Sequence, residues 1–118
     1  MSTYDSLDFH ILVSIVTLKK IKFSEIIKTY KLWDKSNFTT PIQKKAYYSS
    51  KSGIIRHRLK KFIKEELVFT KKDQDGKSNI YVVNKQKVQF LNKHLFIDKY
   101  QKAIWIKEKD GVECIFSL

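Results

Sequence analysis

"SKSGIIRHRLKKFIKEELVFTKKDQDGKSNIYVV", residues 50–83, decides how the chain is read. Its first part carries an apolar row at helical spacing: at about 100° per residue, Ile55, Leu59, Phe62 and Ile63 gather on one side. His57, Lys60, Lys61 and Lys64 lie opposite. Arg56 and Arg58 are the only arginines among 24 basic residues. They stand about 200° apart on a helix and so flank the outward strip, one at each edge. The second part is β-rich, with "LVFTKK" and "SNIYVV" on either side of "DQDGK", where Asp75-Gly76 is a strong hairpin-turn signal. A basic amphipathic helix therefore runs into a lysine-bearing hairpin.

Upstream, the pattern is helical with one interruption. "YDSLDFHILVSIVTLKK" places Leu7, Ile11, Leu12, Ile15 and Leu18 at helical spacing, with Asp5 or Ser6 as N-cap. "IKFSEIIKTYKLW" opens with Ile21 and Phe23 in alternation, after which Ser24 is expected to cap a helix burying Ile26, Ile27, Tyr30 and Trp33. A polar link, "DKSNF", follows. Thr40 as cap, Pro41 at the first helical position and Gln43 placed for a capping box then mark another helix start. Residues 41–66 read either as one long helix or as two, the first ending near Tyr48 and the second capped by Ser50 or Ser52. Serine prefers caps to helix interiors, so two helices are expected. The Tyr47-Tyr48 pair could hydrogen-bond phosphates, though a tyrosine pair in a helix is more often half in the core.

Downstream, Asn84 can cap a helix over "KQKVQFLNKHLF" with Val88, Leu91 and Leu95 on one face. The tail "KAIWIKEKDGVECIFSL" is a second hairpin candidate, with Ile104 and Ile106, then Val112, Cys114 and Phe116, alternating around Asp110-Gly111. The expected order is helix, short strand, helix, helix, hairpin, helix, hairpin.

At 118 residues the chain has the length of one domain. A hydrophobic fraction of 42% and 14% aromatics speak against disorder. The longest apolar stretch, Phe9 to Leu18, is too short for a membrane span and lacks the basic flank of a signal peptide. The single cysteine, Cys114, allows no internal disulfide and no cysteine metal cage. Three separated histidines, three glycines and no nucleophile motif point away from enzyme, metal and cofactor. The net charge of +12 attracts polyanions. It is also unevenly placed: residues 1–18 hold Asp5 and Asp8 and no lysine or arginine, while residues 19–77 hold 17 of the 24 basic residues. An AT-rich genome of archaeal, viral or plasmid origin accounts for the lysine bias. It does not account for an opening helix left without positive charge.

The stretch Ser50–Val83, together with "KIKFSEIIKTY" before it, resembles the winged helix-turn-helix transcription regulators of the MarR, ArsR and PadR kind. In those families a serine-rich turn leads into a recognition helix, a short glycine-containing turn, a strand, an acidic-glycine hairpin tip and a return strand. Here Glu66 stands where glycine is usual. The resemblance covers about residues 5–97. It implies an α+β winged helix-turn-helix with a C-terminal β-hairpin extension, that is, a DNA-binding domain over 1–97 and the hairpin over 98–118. It also implies that a recognition helix of about 52–66 enters the major groove and that the hairpin 67–83 lies as a wing on the backbone.

The expected function is that of a sequence-specific regulator on double-stranded DNA, without cofactor, cytoplasmic (in the host cytoplasm if viral) and acting as a homodimer. Its contacts are expected from Lys51, Ser52, Arg56, His57, Arg58, Lys60, Lys61 and Lys64 on the helix and Lys71, Lys72 and Lys77 on the hairpin. One arginine would read a base and the other grip a phosphate. Arg58 has a competing reading as a salt bridge, to Glu65 or to an acid of the first helix such as Asp8. The hairpin lysines could equally be solvated edge residues that block aggregation. The opening helix, free of lysine, is the expected dimer face, with the C-terminal hairpin contributing. A protein-interaction or structural module of a virion or replication complex, and an RNA-binding protein, are the alternative functions.

Overall fold

Asp5 sets the start of the first helix. Its carboxylate accepts the Asp8 backbone N–H at 3.0 Å, and the Asp8 carboxylate accepts the Asp5 N–H at 3.1 Å, a reciprocal capping box. In the computed structural model, which describes residues 4–18, 21–34, 36–108 and 111–117, α1 then spans Ser6–Leu18. The remaining elements are β1 (Ile21–Lys22), α2 (Phe23–Trp33), α3 (Pro41–Lys64), β2 (Val68–Lys72), β3 (Asn79–Val83), α4 (Leu91–His94), β4 (Leu95–Asp98), β5 (Ala103–Glu108) and β6 (Gly111–Ser117). The architecture is α+β, with the helices packed between two three-stranded antiparallel sheets of order β1-β3-β2 and β4-β5-β6.

α1 is the central helix. Every residue from Asp8 to Ile15 is buried, including His10 and Ser14, which is the pattern of a helix enclosed on all sides. The expected use of α1 as a dimer face meets a helix whose apolar residues from Phe9 to Ile15 are already used inside one chain, leaving Val16 (43%) and Leu18 (40%) exposed. Ser14 is tolerated because its hydroxyl donates to the His10 carbonyl at 2.7 Å.

α2 begins two residues earlier than expected. Ser24 is not its cap; Lys22 is the N-cap residue, and its N–H is taken by the Glu25 carboxylate at 3.1 Å. Ile26 and Tyr30 are buried as the spacing predicts, while Ile27 and Trp33, expected with them, are half-buried.

α3 corrects the expectation of two helices: residues 41–64 form one. Thr40 accepts the Gln43 N–H at 3.2 Å and Pro41 occupies the first turn. Serine persists in the interior because the Ser52 hydroxyl donates to the Tyr48 carbonyl at 2.8 Å, satisfying itself four residues back within the helix. Only Ile55, Leu59 and Phe62 of this helix are buried. Ile63, expected with them, is 38% exposed. The helix ends in a Schellman motif, with Leu67 N–H to Phe62 O at 2.9 Å and Glu66 N–H to Ile63 O at 3.0 Å. Glu66 takes the left-handed conformation (φ 62°) that glycine normally fills, so the sharp turn forms without it.

β2 and β3 form the expected hairpin, with Val68 opposite Val83 through Lys72 opposite Asn79, and β1 pairs on the other side of β3. Beyond Asn84 the expectations fail more often. The helix foreseen over 85–96 is reduced to one turn, Leu91–His94. Val88 and Leu91 are buried as foreseen, but Leu95 belongs to β4, opposite Ile106 of β5. The second hairpin is thus part of a three-stranded sheet whose first strand includes residues 95–97. In β6 an irregularity opposite Ile104/Trp105 inserts Ile115 between Cys114 and Phe116. Ile115 and Phe116 are both buried as a result, while Val112 is 60% exposed. The Asp110 position of that hairpin lies outside the described residues. Ile106, Ile115 and Phe116 share one core with Phe9, Ile55, Phe62 and Val68.

Candidate nucleic-acid interface

Between Pro41 and Lys64, α3 holds eight lysines and arginines and no acid. At 1.5 Å per residue its 24 residues extend about 36 Å. Its C-terminal half is anchored by Ile55, Leu59 and Phe62. Its N-terminal half rests on an aromatic cluster: Phe38 lies 5.0 Å from Tyr47 and 5.7 Å from Tyr48, and Tyr30 lies 6.3 Å from Tyr48. The two tyrosines are thereby half-buried, and the Tyr47 hydroxyl is engaged by Ser36 and Asp34. Lys44 and Lys45, on the same rod, were not among the expected DNA-facing residues. The expected break near Tyr48 separated them from the recognition helix, and only unbroken helical phase through the serines would have revealed them.

His57, Lys60 and Lys64 are all exposed and lie within about 60° of one another around the helix axis. Lys61 is half-buried, its ammonium 5.3 Å from the Tyr4 ring centroid, and Lys51 sits 5.2 Å over Tyr47. Ser52 has its hydroxyl committed to the backbone.

The two arginines separate. Arg58 reaches Asp5 at 2.5 Å and Asp8 at 3.0 Å, joining α3 to the N-terminus of α1. Asp8 is buried (2% exposed). Burial disfavours the Arg58 cation, but hydrogen bonds to Asp5 and Asp8 outweigh that and raise its pKa. Of the alternatives that the residues left open, the geometry contains the salt bridge to the first helix, and Glu65 receives the Tyr4 hydroxyl at 2.9 Å. Arg56 is exposed, with its guanidinium 4.3 Å over the ring of Phe23, the first residue of α2.

The hairpin presents a second basic surface. Lys71, Lys72 and Lys77 are all exposed. Its loop is held by Asp75, whose carboxylate accepts the N–H groups of Lys77 and Ser78 at 2.8 and 2.9 Å and the Ser78 hydroxyl at 2.9 Å. Those donors bring the Asp75 pKa down to about 2. Gly76 supplies the left-handed residue (φ 71°) that the turn requires. Lys22 pairs with Asp73 at 3.4 Å across the sheet.

Among the described residues no helix is long and apolar enough to cross a membrane. No protein-family model matches the chain, and no curated protein or solved structure matches it either.

Proposed function

We propose that the protein is a winged-helix transcriptional regulator that binds double-stranded DNA, with the outward strip of α3 in the major groove and the β2–β3 hairpin along the adjacent backbone. The carrying observation is the acid-free, eight-cation helix whose exposed strip of His57, Lys60 and Lys64 is fixed to the same core as a lysine hairpin. Such an array neutralises phosphates and releases counterions, so affinity falls steeply with salt.

Base reading in this arrangement falls to Arg56. Its guanidinium is pre-oriented over Phe23 and remains exposed, and a fork held in that way suits the bidentate edge of guanine better than a mobile lysine does. Arg58 belongs to the scaffold. Two half-sites about one helical turn apart call for a second copy of the chain.

Duplex binding followed by fluorescence anisotropy tests the reading. A selected duplex should bind with a log–log salt slope near −0.9 per phosphate neutralised. Arg56→Ala should cost about 1–3 kcal/mol on that duplex and much less on random sequence. Equal losses on both would make Arg56 a phosphate ligand. Preference for double-stranded RNA, or a salt-independent affinity, would overturn the reading.

A further inference from the structure

We propose that the concave surface between α1, β3 and residues 85–92 is a binding site for an amphipathic monoanion: a carboxylate carrying an apolar chain of about eight to twelve carbons. The cleft holds about 650 Å³, within the roughly 300–1,000 Å³ of small-molecule sites. Ile15, Ile80, Val88 and Leu91 are buried and make its depth, and Val16 and Val82 continue the apolar lining outward. Among the described residues, the charged side chains that line it are Lys71 and Lys85, both exposed, and no carboxylate does.

Strand register fixes one of these lysines. Lys71 stands directly opposite Ile80 in the β2–β3 ladder and therefore on the same face of the sheet. An ammonium group is thus held beside an apolar wall rather than turned to the other side. The amides of Gln89 and Asn92 add donors to the lining.

The apolar surface also continues past the cleft. Val16, 43% exposed, lines both this cleft and a neighbouring one of about 360 Å³ that reaches Ile97 (69% exposed) and Ile104 at the second sheet. Among the described residues no charged side chain lines that second cleft. A cationic mouth leading to a long uncharged trough is complementary to a chain with one anionic end. It does not complement a cation, and it leaves a zwitterion's ammonium without a partner. The site is separate from the outward strip of α3, though it shares Lys71 with the basic surface of the hairpin, and its test needs no DNA.

Isothermal titration calorimetry of the full chain with octanoate, decanoate, decanol and decyltrimethylammonium, all below their micellar concentrations, decides it. Decanoate should bind saturably at one per chain, with Kd tightening about three- to fourfold for each added methylene. The cation should not bind. Lys71→Gln combined with Lys85→Gln should weaken decanoate about tenfold and leave decanol unchanged. Val16→Trp, at an exposed helix position, should fill the trough and abolish binding with unfolding temperature unchanged; should it fail to fold, Val82→Phe carries the same test. Absence of saturable heat, equal binding of the cation, or unaltered affinity in either variant overturns the proposal. So does a sedimenting dimer that Val16→Trp dissociates, since a second copy would then occupy the cleft.

Discussion

Gly53 sits in the interior of α3 with nothing within 4 Å of where a Cβ would stand. Glycine there costs about 0.5–1 kcal/mol relative to alanine, and no internal packing requires it. It shares the outward side with His57, Lys60 and Lys64, so a bare backbone is presented where the proposed duplex lies. Gly53→Ala should therefore raise stability by about 0.5–1 kcal/mol in thermal or urea unfolding while lowering duplex affinity severalfold; unchanged affinity would place the DNA elsewhere. Arg58 is the opposite case, a cation whose work is internal. Arg58→Ala leaves the buried Asp8 carboxylate without its partner and should cost about 2–3 kcal/mol, below the range for fully buried pairs because Arg58 is 25% exposed. The partner Asp5 adds a pH signature. Burial alone would raise its pKa, but the hydrogen bonds from Arg58 and the Asp8 N–H bring it below 3.8. The folded state thus binds the Asp5 proton less readily than the unfolded state does, so this stability is present above pH 3.8 and lost as pH falls through the lower folded value. In Arg58→Ala that acid-side dependence should shrink in urea titrations between about pH 2 and 5.

At the scale of elements, the hairpin gives the sharpest separation between a phosphate-gripping surface and a merely solvated one. Lys71→Ala, Lys72→Ala and Lys77→Ala together should leave the fold intact, since all three are exposed. They should also flatten the salt dependence by about one unit for each phosphate left without its lysine. An unchanged slope would make them edge lysines only. Where the sequence was legible, the signal was local. Asp75-Gly76, the alternation in β2 and β3 and the row Ile55, Leu59, Phe62 each specify their element without reference to distant partners. Where it was not, the deciding interaction lay outside the window. Ser49, Ser50, Ser52 and Gly53 argue for a break that the Ser52–Tyr48 back-bond and the aromatic cluster around Phe38 override. Leu95 fits a helix by spacing and a strand by its pairing with Ile106, 11 residues ahead. Ile115 enters the core only because the ladder shifts beside Trp105. Arg58 illustrates both limits: Asp8 could be named from sequence as a candidate, but Asp5 and the burial of the pair required the packed helices.

For the whole molecule, the C-terminal sheet is bound into the centre rather than appended. Trp33 Nε1 donates to the Cys114 carbonyl and His10 Nδ1 to the Ile115 carbonyl, so α2 and α1 each grip β6 through a ring nitrogen. The two rings stack on each other at 4.5 Å, with Phe116 beside them. Burial keeps the His10 imidazole neutral, with its one proton on Nδ1 for the Ile115 carbonyl and Nε2 left without a hydrogen-bond partner, and it brings the pKa down to about 4 from 6.5, partly opposed by the bond to Ile115. The sign follows from proton counting. Between pH 6.5 and about 4 the unfolded chain binds a proton at His10 that the folded chain does not, so stability is complete above pH 6.5 and declines as pH falls through that window. The loss amounts to about 3 kcal/mol by about pH 4. Asparagine can offer its amide N–H to the Ile115 carbonyl but cannot titrate. His10→Asn should therefore be less stable than the wild type at neutral pH, through lost stacking, yet nearly flat across the same acid window, as read from urea midpoints at closely spaced pH values. A wild-type curve without that decline would mean that His10 is reached by water, and that the sheet does not close over α1 as it does here.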